Sequence, residues 1–299
     1  MQDQDIVIKA PAIFSFAECL WYLDRNFDDC SHAVEGNSVV KAIRFEGEEL
    51  LFRLSGGDNF LRVEMLLGTD SAKARKHIEA YIRKWLDLDR DIQPFYDLLA
   101  RDERVAFMAD AFYGLRVVAI NELFEALSWS IIGQQINLAF AFRMKRRITE
   151  RFGTNIEYGD QLYHIFPRAE VLAAIDPEEL RPMQFSQRKA EYLVGLAKQF
   201  ASGALTEEGI AALPDFQSKQ ETLTKIRGIG VWTANYALMK SMHIPEAVPY
   251  GDAGLFIALE SLNIIDNRKE AGKIEAFFRE FEGWQNYMVY YLWRSRRMS

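Results

Sequence analysis

Asp252 is the side chain of this sequence with the clearest setting for chemistry. It follows Pro249, which favours an extended approach, and Gly251, which permits a sharp entry into a helix. Aspartate is a preferred N-cap residue, so an isolated aspartate at this position is typical of a helix cap. A carboxylate fixed at a helix start can also stabilise positive charge that develops on a neighbouring sugar. Taken alone, Asp252 leaves both roles open.

The segment 223–239 predicts two helices joined by a tight turn. Helical spacing runs to Ile226 and resumes after Gly228, Ile229 and Gly230. A Gly-x-Gly turn exposes the first amides of the second helix, whose partial positive charge suits a DNA phosphate. The central Ile229 is expected to plug the core between the helices. An ordinary helical corner with a glycine C-cap is the alternative interpretation.

The spacing between the hairpin and the aspartate connects the two features. A hairpin that holds a phosphate would place a carboxylate on the following helix near a sugar whose base has left the stack. Breaking an N-glycosidic bond builds positive charge on C1′ and the ring oxygen, and one fixed carboxylate stabilises it without a metal. The sequence therefore predicts hydrolysis of a base–sugar bond in duplex DNA. A DNA-binding module without catalysis is the alternative from another class.

A third motif, in residues 126–152, reads ALSWSIIGQQINLAFAFRMKRRITERF. With the hairpin and the aspartate, it resembles the helix-hairpin-helix (HhH-GPD) DNA glycosylase superfamily, in its DNA-3-methyladenine glycosylase II or AlkA-like branch. The resemblance covers about residues 115–293. It implies an α+β, mostly α-helical fold, with two helical subdomains around a cleft and a small N-terminal antiparallel sheet.

The resemblance also implies roles for individual residues. Asp252 matches the catalytic aspartate, and Gln135 falls where the family places the wedge that fills the hole left by a flipped nucleotide; a solvated loop residue or backbone cap is the alternative for Gln135. Backbone carbonyls near Gly228 and Gly230 are expected to bind a monovalent cation, Na⁺ or K⁺. The DNA-contacting set implied by the family is Gln135, Arg227, Gly228, Ile229, Gly230 and Thr233.

Trp232 bears on the reaction type. Family members that also cut the DNA backbone carry a lysine here, which forms a Schiff base; a tryptophan cannot, so the resemblance implies a monofunctional enzyme that uses water. Trp232, Tyr236 and Trp293 match aromatic positions of the base pocket in the alkylbase branch, and such rings favour a cationic, alkylated purine. Core packing is the alternative for each ring.

Three departures from the family pattern leave the substrate range open. The stretch 282–287 replaces the usual Pro and Arg before the last aromatic helix, Asn137 stands where Ser or Thr is usual, and the Asp252 segment lacks a second acidic residue. Alkylated purines are the expected substrates. A different base specificity, such as 8-oxoguanine or uracil, is the alternative, although an 8-oxoguanine enzyme is expected to carry the missing lysine.

The chain divides by its secondary-structure signals. Residues 38–67 alternate in hydrophobicity and predict three strands with turns at Gly47 and at 56–59, and a helix precedes them around Phe16–Leu23. After about residue 72 the strand signal stops. We expect an N-terminal α+β domain at 1–110 and a helical region at 111–299. Helices are predicted at 73–86, 93–100, 102–110, 121–135, 137–151, 169–174, 177–181, 186–202, 206–212, 215–226, 231–241, 251–262 and 269–296 with a break.

Composition limits cofactors and location. Two cysteines, Cys19 and Cys30, are too few for an iron–sulfur cluster, and four scattered histidines predict no side-chain metal site. The net charge of −7 resides in residues 1–70, with 6 Lys/Arg and 13 Asp/Glu, and the remainder is balanced. A DNA enzyme needs only a local positive face. Without a signal peptide or an apolar run long enough to span a membrane, we expect a cytoplasmic, nucleoid-associated monomer whose partner is duplex DNA containing damaged bases.

Two basic groups could contact DNA or simply be solvated. The first lies on the helix after the Gln-Gln loop and comprises Arg143, Lys145, Arg146, Arg147 and Arg151. The second is the C-terminal group Arg294, Arg296 and Arg297. In addition, Gln187, Arg188 and Lys189 begin a helix that resembles the family's Arg-Lys-Ala segment (188–190), and either a backbone contact or packing stays open as its role.

Overall fold

The computed structural model describes residues 5–25, 29–57 and 59–296. In these ranges an N-terminal antiparallel sheet packs against a helical body, as the sequence predicted. The sheet has the order β1-β5-β4-β3-β2. Its strands are β1 (Ile6–Lys9), β2 (Ala33–Glu35), β3 (Ser38–Phe45), β4 (Glu48–Gly56) and β5 (Phe60–Leu67).

The three predicted strands are β3, β4 and β5, and the turn at Gly47 is confirmed. Glu46 and Gly47 both have positive φ, 46° and 90°, as a two-residue hairpin turn with the right-handed twist of its strands requires. The second turn was predicted at 56–59, and one of its residues, Asp58, lies outside the described residues. The two added edge strands were missed because they are only 4 and 3 residues long, too short for alternation to be visible.

The expectation that strands end after residue 72 is wrong for one hairpin. Strands β6 (Thr154–Tyr158) and β7 (Gln161–Ile165) pair around Gly159, which has φ 59°. The hairpin packs Ile156, Tyr163 and Ile165 onto the second face of the sheet, against Val40, Ala42 and Leu51. Because both faces are covered, the middle of β3 is buried continuously.

The helices follow the predicted segments closely, except that 102–110 is mostly turns with one short helix. The final segment breaks in two, as predicted. The helices are α1 (Phe16–Leu23), α2 (Ala72–Trp85), α3 (Gln93–Leu99), α4 (Met108–Ala111), α5 (Leu123–Gly133), α6 (Leu138–Phe152), α7 (Ala169–Ala173), a 3₁₀ helix (Pro177–Met183), α8 (Gln187–Ala201), α9 (Glu207–Ala211), α10 (Phe216–Thr224), α11 (Val231–Met242), α12 (Ala253–Ser261), α13 (Ala271–Arg279) and α14 (Gln285–Ser295).

One hydrophobic core runs from the sheet through the helices and crosses the predicted domain boundary after residue 110. Arg116, just after this boundary, is only 1% exposed. Its guanidinium donates hydrogen bonds to the backbone carbonyls of Ile13, Asp87 and Arg90, which precede the boundary. A buried guanidinium that is satisfied by carbonyl groups from separate loops holds those loops together. The boundary at 110 stays a prediction.

Candidate active site and helical hairpin

A cavity of about 540 Å³ opens between α1, the α5–α6 turn, α11, α12 and α14. We call it the aromatic cavity, because seven aromatic side chains line it. They are Trp21, Tyr22, Trp129, Trp232, Tyr236, Tyr290 and Trp293. Its size is within the range of pockets that hold small organic groups.

Asp252 lines the aromatic cavity and also begins α12. Its Oδ1 accepts a hydrogen bond from the backbone N–H of Leu255 at 2.7 Å and another from Nε1 of Trp293 at 2.9 Å. Gly251 before it has φ 93°, so the predicted sharp entry and the N-cap are confirmed. The carboxylate is therefore fixed by a helix start on one side and an indole on the other, while it stays at the cavity wall.

Gly254 leaves space beside this carboxylate. A β-carbon at 254 would lie 2.5 Å from Nη1 of Arg296 and 3.0 Å from Oδ1 of Asp252. Arg296 also lines the aromatic cavity. A glycine is therefore what allows a guanidinium to approach the first turn of α12.

The three aromatic residues predicted to form a base pocket come together. Trp232 stacks on Tyr236 with ring centroids 5.4 Å apart, and Tyr236 lies 6.1 Å from Trp293. All three line the aromatic cavity rather than being fully enclosed in the core. The hydroxyl of Tyr236 accepts a hydrogen bond from Nε1 of Trp129 at 3.0 Å, which fixes the central ring.

Sequence reasoning missed the far wall of the cavity. Tyr22 from α1 packs on Tyr290 from α14, with ring centroids 4.6 Å apart, and the guanidinium of Arg25 lies 3.8 Å from the Tyr22 ring centroid. Buried Lys240 donates a hydrogen bond to the Tyr22 hydroxyl at 3.1 Å and another to the carbonyl of Val118. Burial raises the pKa of Tyr22, but Arg25 and Lys240 outweigh it and hold this pKa below its usual value. No local signal marked these residues, because only tertiary packing brings α1 to the cavity.

The hairpin lies between α10 and α11, and its two glycines differ. Gly228 has φ 92°, and a β-carbon there would overlap the ring of Tyr192. Gly230 is the N-cap of α11 with φ −92°, and a β-carbon there would meet nothing within 4 Å. Ile229 is buried in the core, which confirms its predicted packing. Gly228 is thus required by the fold, whereas Gly230 keeps the start of α11 open.

The α5–α6 turn is tied to the hairpin. Nε2 of Gln134 donates hydrogen bonds to the carbonyl of Gly228 at 2.9 Å and to the hydroxyl of Thr233 at 3.3 Å. Thr233 is buried, so its side chain serves this contact. Gln135 is exposed and has φ 57°, a left-handed conformation that is unusual for a residue other than glycine. Arg227 is exposed and pairs with Glu191 at 3.1 Å.

The basic group on α6 is not one surface. Lys145 is buried and lies 2.8 Å from Glu125, 3.7 Å from Asp29 and 2.6 Å from the Ser31 hydroxyl, so neither interpretation of the basic run fits it. The other members of the basic group, Arg143, Arg146, Arg147 and Arg151, are at least partly exposed. The basic run on a predicted helix suggested that Lys145 would be solvated like its basic neighbours. Its acidic partners, Asp29 and Glu125, come from other segments, so the sequence pattern did not reveal them.

The other basic residues have local roles. Lys189 at the start of α8 donates to the carbonyl of Ile132 at 2.8 Å, which caps the end of α5. Arg294 pairs with Glu18 at 2.8 Å, and Arg297 lies outside the described residues. In the described ranges no cluster of three or more His, Cys, Asp or Glu is arranged to hold a metal ion. Likewise, the helices seen there are too short or too polar to span a membrane.

Comparison with known proteins places this geometry in a family. The model of the HhH-GPD superfamily of base excision DNA repair proteins matches residues 128–282, and that of the 8-oxoguanine DNA glycosylase N-terminal domain matches residues 21–127. A relative in Bacillus subtilis, named DNA-3-methyladenine glycosylase, is 38% identical over 293 residues, or 97% of this chain and 96% of its own length.

Two solved structures share the fold. The 3-methyladenine DNA glycosylase of Archaeoglobus fulgidus has a TM-score of 0.85 at 22% identity, over 98% of each chain. The 8-oxoguanine glycosylase/lyase of Clostridium acetobutylicum, solved with double-stranded DNA, has a TM-score of 0.70 at 21% identity, over 91% of this chain and 99% of that one. With a family model over half of the chain and a relative over almost all of it, this chain belongs to the HhH-GPD superfamily of base excision repair proteins and is a DNA glycosylase, an enzyme that acts on N-glycosyl bonds.

Proposed function

We propose that this enzyme flips alkylated purines out of duplex DNA and hydrolyses their N-glycosidic bond, leaving an abasic site. The observation that carries the proposal is the Asp252 carboxylate, fixed at the wall of the aromatic cavity by Leu255 and Trp293. The relative's name, DNA-3-methyladenine glycosylase, supports the same substrate class. The enzyme acts as a monomer in this proposal.

In the reaction, the bond between C1′ and the base nitrogen breaks, and its electron pair leaves with the base. The Asp252 carboxylate stabilises the positive charge that collects on C1′ and the ring oxygen. A water oxygen then bonds to C1′, and Asp252 is placed to accept the proton that the water loses. Because Oδ1 already accepts two hydrogen bonds, the carboxylate needs little reorganisation when the charge develops.

The aromatic cavity suits an alkylated leaving group. Alkylation of a ring nitrogen makes a purine cationic, and the stacked faces of Trp232 and Tyr236 attract a cation by about 0.5–2 kcal/mol. No lysine is among the described residues that line the cavity. Lys240, behind it, is buried with its amine directed to Tyr22 and Val118, so it is not placed to form a Schiff base with C1′. Water therefore serves as the nucleophile.

The DNA contacts follow from the hairpin and the adjacent turn. The exposed start of α11 at Gly230 offers amides to a phosphate, and Gln135 on the exposed α5–α6 turn fills the space of the flipped nucleotide. Arg227 adds positive charge at the same hairpin. A monovalent cation held by hairpin carbonyls belongs to this proposal; the Gly228 carbonyl would then bind it while it also accepts from Gln134.

A second candidate is excision of 8-oxoguanine. The match of residues 21–127 to the N-terminal domain of 8-oxoguanine glycosylases favours it. Trp232 weighs against it, because the amine nucleophile that a glycosylase/lyase uses has no counterpart at this position. Alkylated purines thus remain the substrate that the site supports best.

The test is base release from duplex oligonucleotides that each carry one lesion: 3-methyladenine, 7-methylguanine, hypoxanthine, ethenoadenine, uracil or 8-oxoguanine. Breaks at alkylated purines that need alkali, and that disappear with Asp252→Asn, would support the proposal. Asparagine keeps the N-cap, so binding of lesion DNA should persist while excision falls by about 100- to 1,000-fold. Breaks without alkali, or release of 8-oxoguanine alone, would contradict it.

A further inference from the structure

The turn between α5 and α6, residues 134–137, holds Gln135 between two anchored neighbours, and we call it the wedge turn. Gln135 is exposed and has φ 57°, a left-handed conformation that is costly for a residue other than glycine. After it, Ile136 packs against the core and lines the aromatic cavity. Asn137 then caps α6, because its side chain accepts a hydrogen bond from the Phe140 N–H at 2.9 Å. The second half of the wedge turn is therefore fixed by the core and by a helix start.

The first half of the wedge turn is fixed by the side chain of Gln134. Its Nε2 donates to the carbonyl of Gly228 at 2.9 Å and to the hydroxyl of Thr233 at 3.3 Å. Gly228 belongs to the hairpin turn, whereas Thr233 lies in the first turn of α11 and is only 2% exposed. One side-chain amide thus spans from the wedge turn to the helix start that is proposed to bind a phosphate.

Helix α8 braces the elements on both sides of this contact. The segment 188–190, whose role the sequence left open, supplies Lys189, which donates to the carbonyl of Ile132 at the end of α5 at 2.8 Å. One turn later on α8, the ring of Tyr192 occupies the space beside Gly228. The end of α5 and the hairpin are therefore packed on the same helix, and the Gln134 amide ties the wedge turn itself to the hairpin.

We propose that Gln134 is a positioning residue, whose amide keeps the Gln135 side chain in register with a phosphate bound at the start of α11. The inference rests on the proposed function, in which Gln135 is the wedge. A phosphate on the N–H groups of α11 fixes the position of the strand, so the wedge must enter the base stack at a set distance from it. Without the Gln134 amide, the left-handed conformation of Gln135 would lose part of the surrounding structure that supports it.

The effect of Gln134 is expected to be on flipping rather than on bond cleavage or on duplex binding. Gln134 is not among the described residues that line the aromatic cavity, and the contacts of Asp252 with Leu255 and Trp293 lie elsewhere. The start of α11 is capped by Gly230 and does not depend on the Gln134 side chain for its exposed amides. A base that is already unpaired should therefore be excised almost normally when the Gln134 amide is removed.

The experiment is a double-mutant cycle of Gln134→Met and Gln135→Ala, measured as single-turnover excision of 7-methylguanine at saturating enzyme. Methionine is similar in length to glutamine and has no N–H donor. The lesion is placed either opposite cytosine or opposite an abasic site. Gln217→Met is the matched control, because Gln217 is exposed on α10 and donates to Glu221 at 2.8 Å. The Kd for an undamaged duplex and the unfolding temperature are measured for every variant.

Gln134→Met should slow excision of the paired lesion by about 10-fold, and excision opposite the abasic site by less than about threefold. The double variant should match Gln135→Ala alone within about threefold, because both changes disable the same wedge. The Kd for undamaged duplex should stay within about threefold of the wild type, and the unfolding temperature should fall by about 4 °C or less. Gln217→Met should resemble the wild type in each assay.

Unchanged excision by Gln134→Met, or a double variant slowed by the product of the two single losses, would overturn the assignment, since Gln134 would not act through Gln135. A Kd that rises as much as excision slows, or equal slowing of both substrates, would overturn it too, because Gln134 would then hold the DNA or the fold. In these cases slower excision by Gln135→Ala would still uphold the proposed wedge. No effect of Gln135→Ala, or no base release by the wild type, would overturn the proposed function and the inference together.

Discussion

The structure makes the N-cap of Asp252 and its proposed catalytic role compatible, although the sequence offered them as alternatives. An N-cap needs an oxygen directed at the amides of the first turn, and catalysis needs a charge held at the cavity wall. Oδ1 meets the first requirement through Leu255, and the indole of Trp293 fixes the same atom from the cavity side. An N-cap role for Asp252 is therefore compatible with catalysis, because the cap hydrogen bond is one of the contacts that hold the carboxylate rigid.

Gly254→Ala should separate stability from activity. Alanine favours a helix by about 1 kcal/mol over glycine, so the unfolding temperature should stay or rise. The new methyl group would lie 2.5 Å from Arg296 Nη1 and 3.0 Å from Asp252 Oδ1, so the flexible arginine must move and the carboxylate is crowded. We expect a loss of excision rate of about 10-fold or more, measured in single turnover. An unchanged rate would mean that the first turn of α12 tolerates the crowding.

The control for this change is Gly272→Ala in α13, where a β-carbon would meet nothing within 4 Å. It should bring the same gain in helix propensity and leave excision unchanged.

Gln135→Ala tests the wedge. The side chain is exposed on the turn between α5 and α6, so its removal should change the free energy of unfolding by less than about 0.5 kcal/mol. Excision of a paired lesion should slow by about 10-fold. Excision of the same lesion opposite an abasic site should slow less, because less pairing and stacking must be given up when the base flips. Equal slowing of the two substrates would assign Gln135 to another role.

At the scale of elements, the two glycines of the hairpin have different structural roles. Gly228 is confined by its positive φ and by the ring of Tyr192, whereas Gly230 has an ordinary φ and open space around it. The fold alone does not require a glycine at 230. The open space lies at the first amides of α11, where a β-carbon would stand between the helix start and a phosphate.

The pair Gly228→Ala and Gly230→Ala should therefore behave differently. Gly228→Ala should lower the free energy of unfolding by about 2 kcal/mol or more, through its left-handed backbone and its overlap with Tyr192. Gly230→Ala should leave stability nearly unchanged and weaken duplex binding by about 10-fold, measured as Kd at fixed salt. If Gly230→Ala bound DNA normally, the phosphate would have to contact another part of the hairpin.

At the scale of the whole molecule, a buried ionic cluster joins the N-terminal sheet to the helical body. Lys145 on α6 contacts Glu125 on α5 and Asp29, while Lys41 on β3 donates to the Ser31 carbonyl at 2.6 Å. Burial by itself raises the pKa of Asp29 and of Glu125, but nearby cations, the Lys145 ammonium foremost, outweigh it and hold both pKa values below their usual range. Separate segments of the chain thus share one set of charges in the interior.

This cluster gives stability a defined pH dependence. A carboxylate whose pKa is lower in the folded protein contributes stability above its unfolded pKa and loses it as pH falls through the folded one. The unperturbed values for Asp29 and Glu125 are 3.8 and 4.5, so the free energy of unfolding should fall as pH drops below that range. Urea unfolding at a series of pH values measures it, and a flat profile in acid would contradict the prediction.

Lys145→Met should lower the free energy of unfolding by about 3–5 kcal/mol at neutral pH, since it leaves two largely buried carboxylates, Asp29 and Glu125, without their nearest cation. Burial would then raise the pKa of both carboxyl groups. Their protonation in acid would remove the cost of burying the charges, so the difference in free energy of unfolding between Lys145→Met and the wild type should become smaller. Arg143→Met, on an exposed part of the same helix, is the control and should cost little at any pH. A difference that stays constant with pH would mean that Lys145 acts through packing alone.

Interactions between residues close in sequence made much of this structure predictable from the sequence. The caps, the turn glycines and the alternation of β3 to β5 depend on neighbours within a few residues, so the hairpin, the start of α12 and most helices could be predicted. Resemblance of three motifs was enough to place the family and to single out Asp252, Trp232, Tyr236 and Trp293. Their individual roles remain predictions that the experiments above address.

Tertiary structure decided what depends on distant segments. It brought α1 to the cavity and so placed Tyr22 and Arg25 there, and it buried Lys145 against Asp29 and Glu125. It also folded the β6–β7 hairpin over the outer face of the sheet. Periodicity reports which side of an element is apolar, but it carries no information on which other element will cover that side, and the identity of the partner is what sets both the cavity wall and the buried charges.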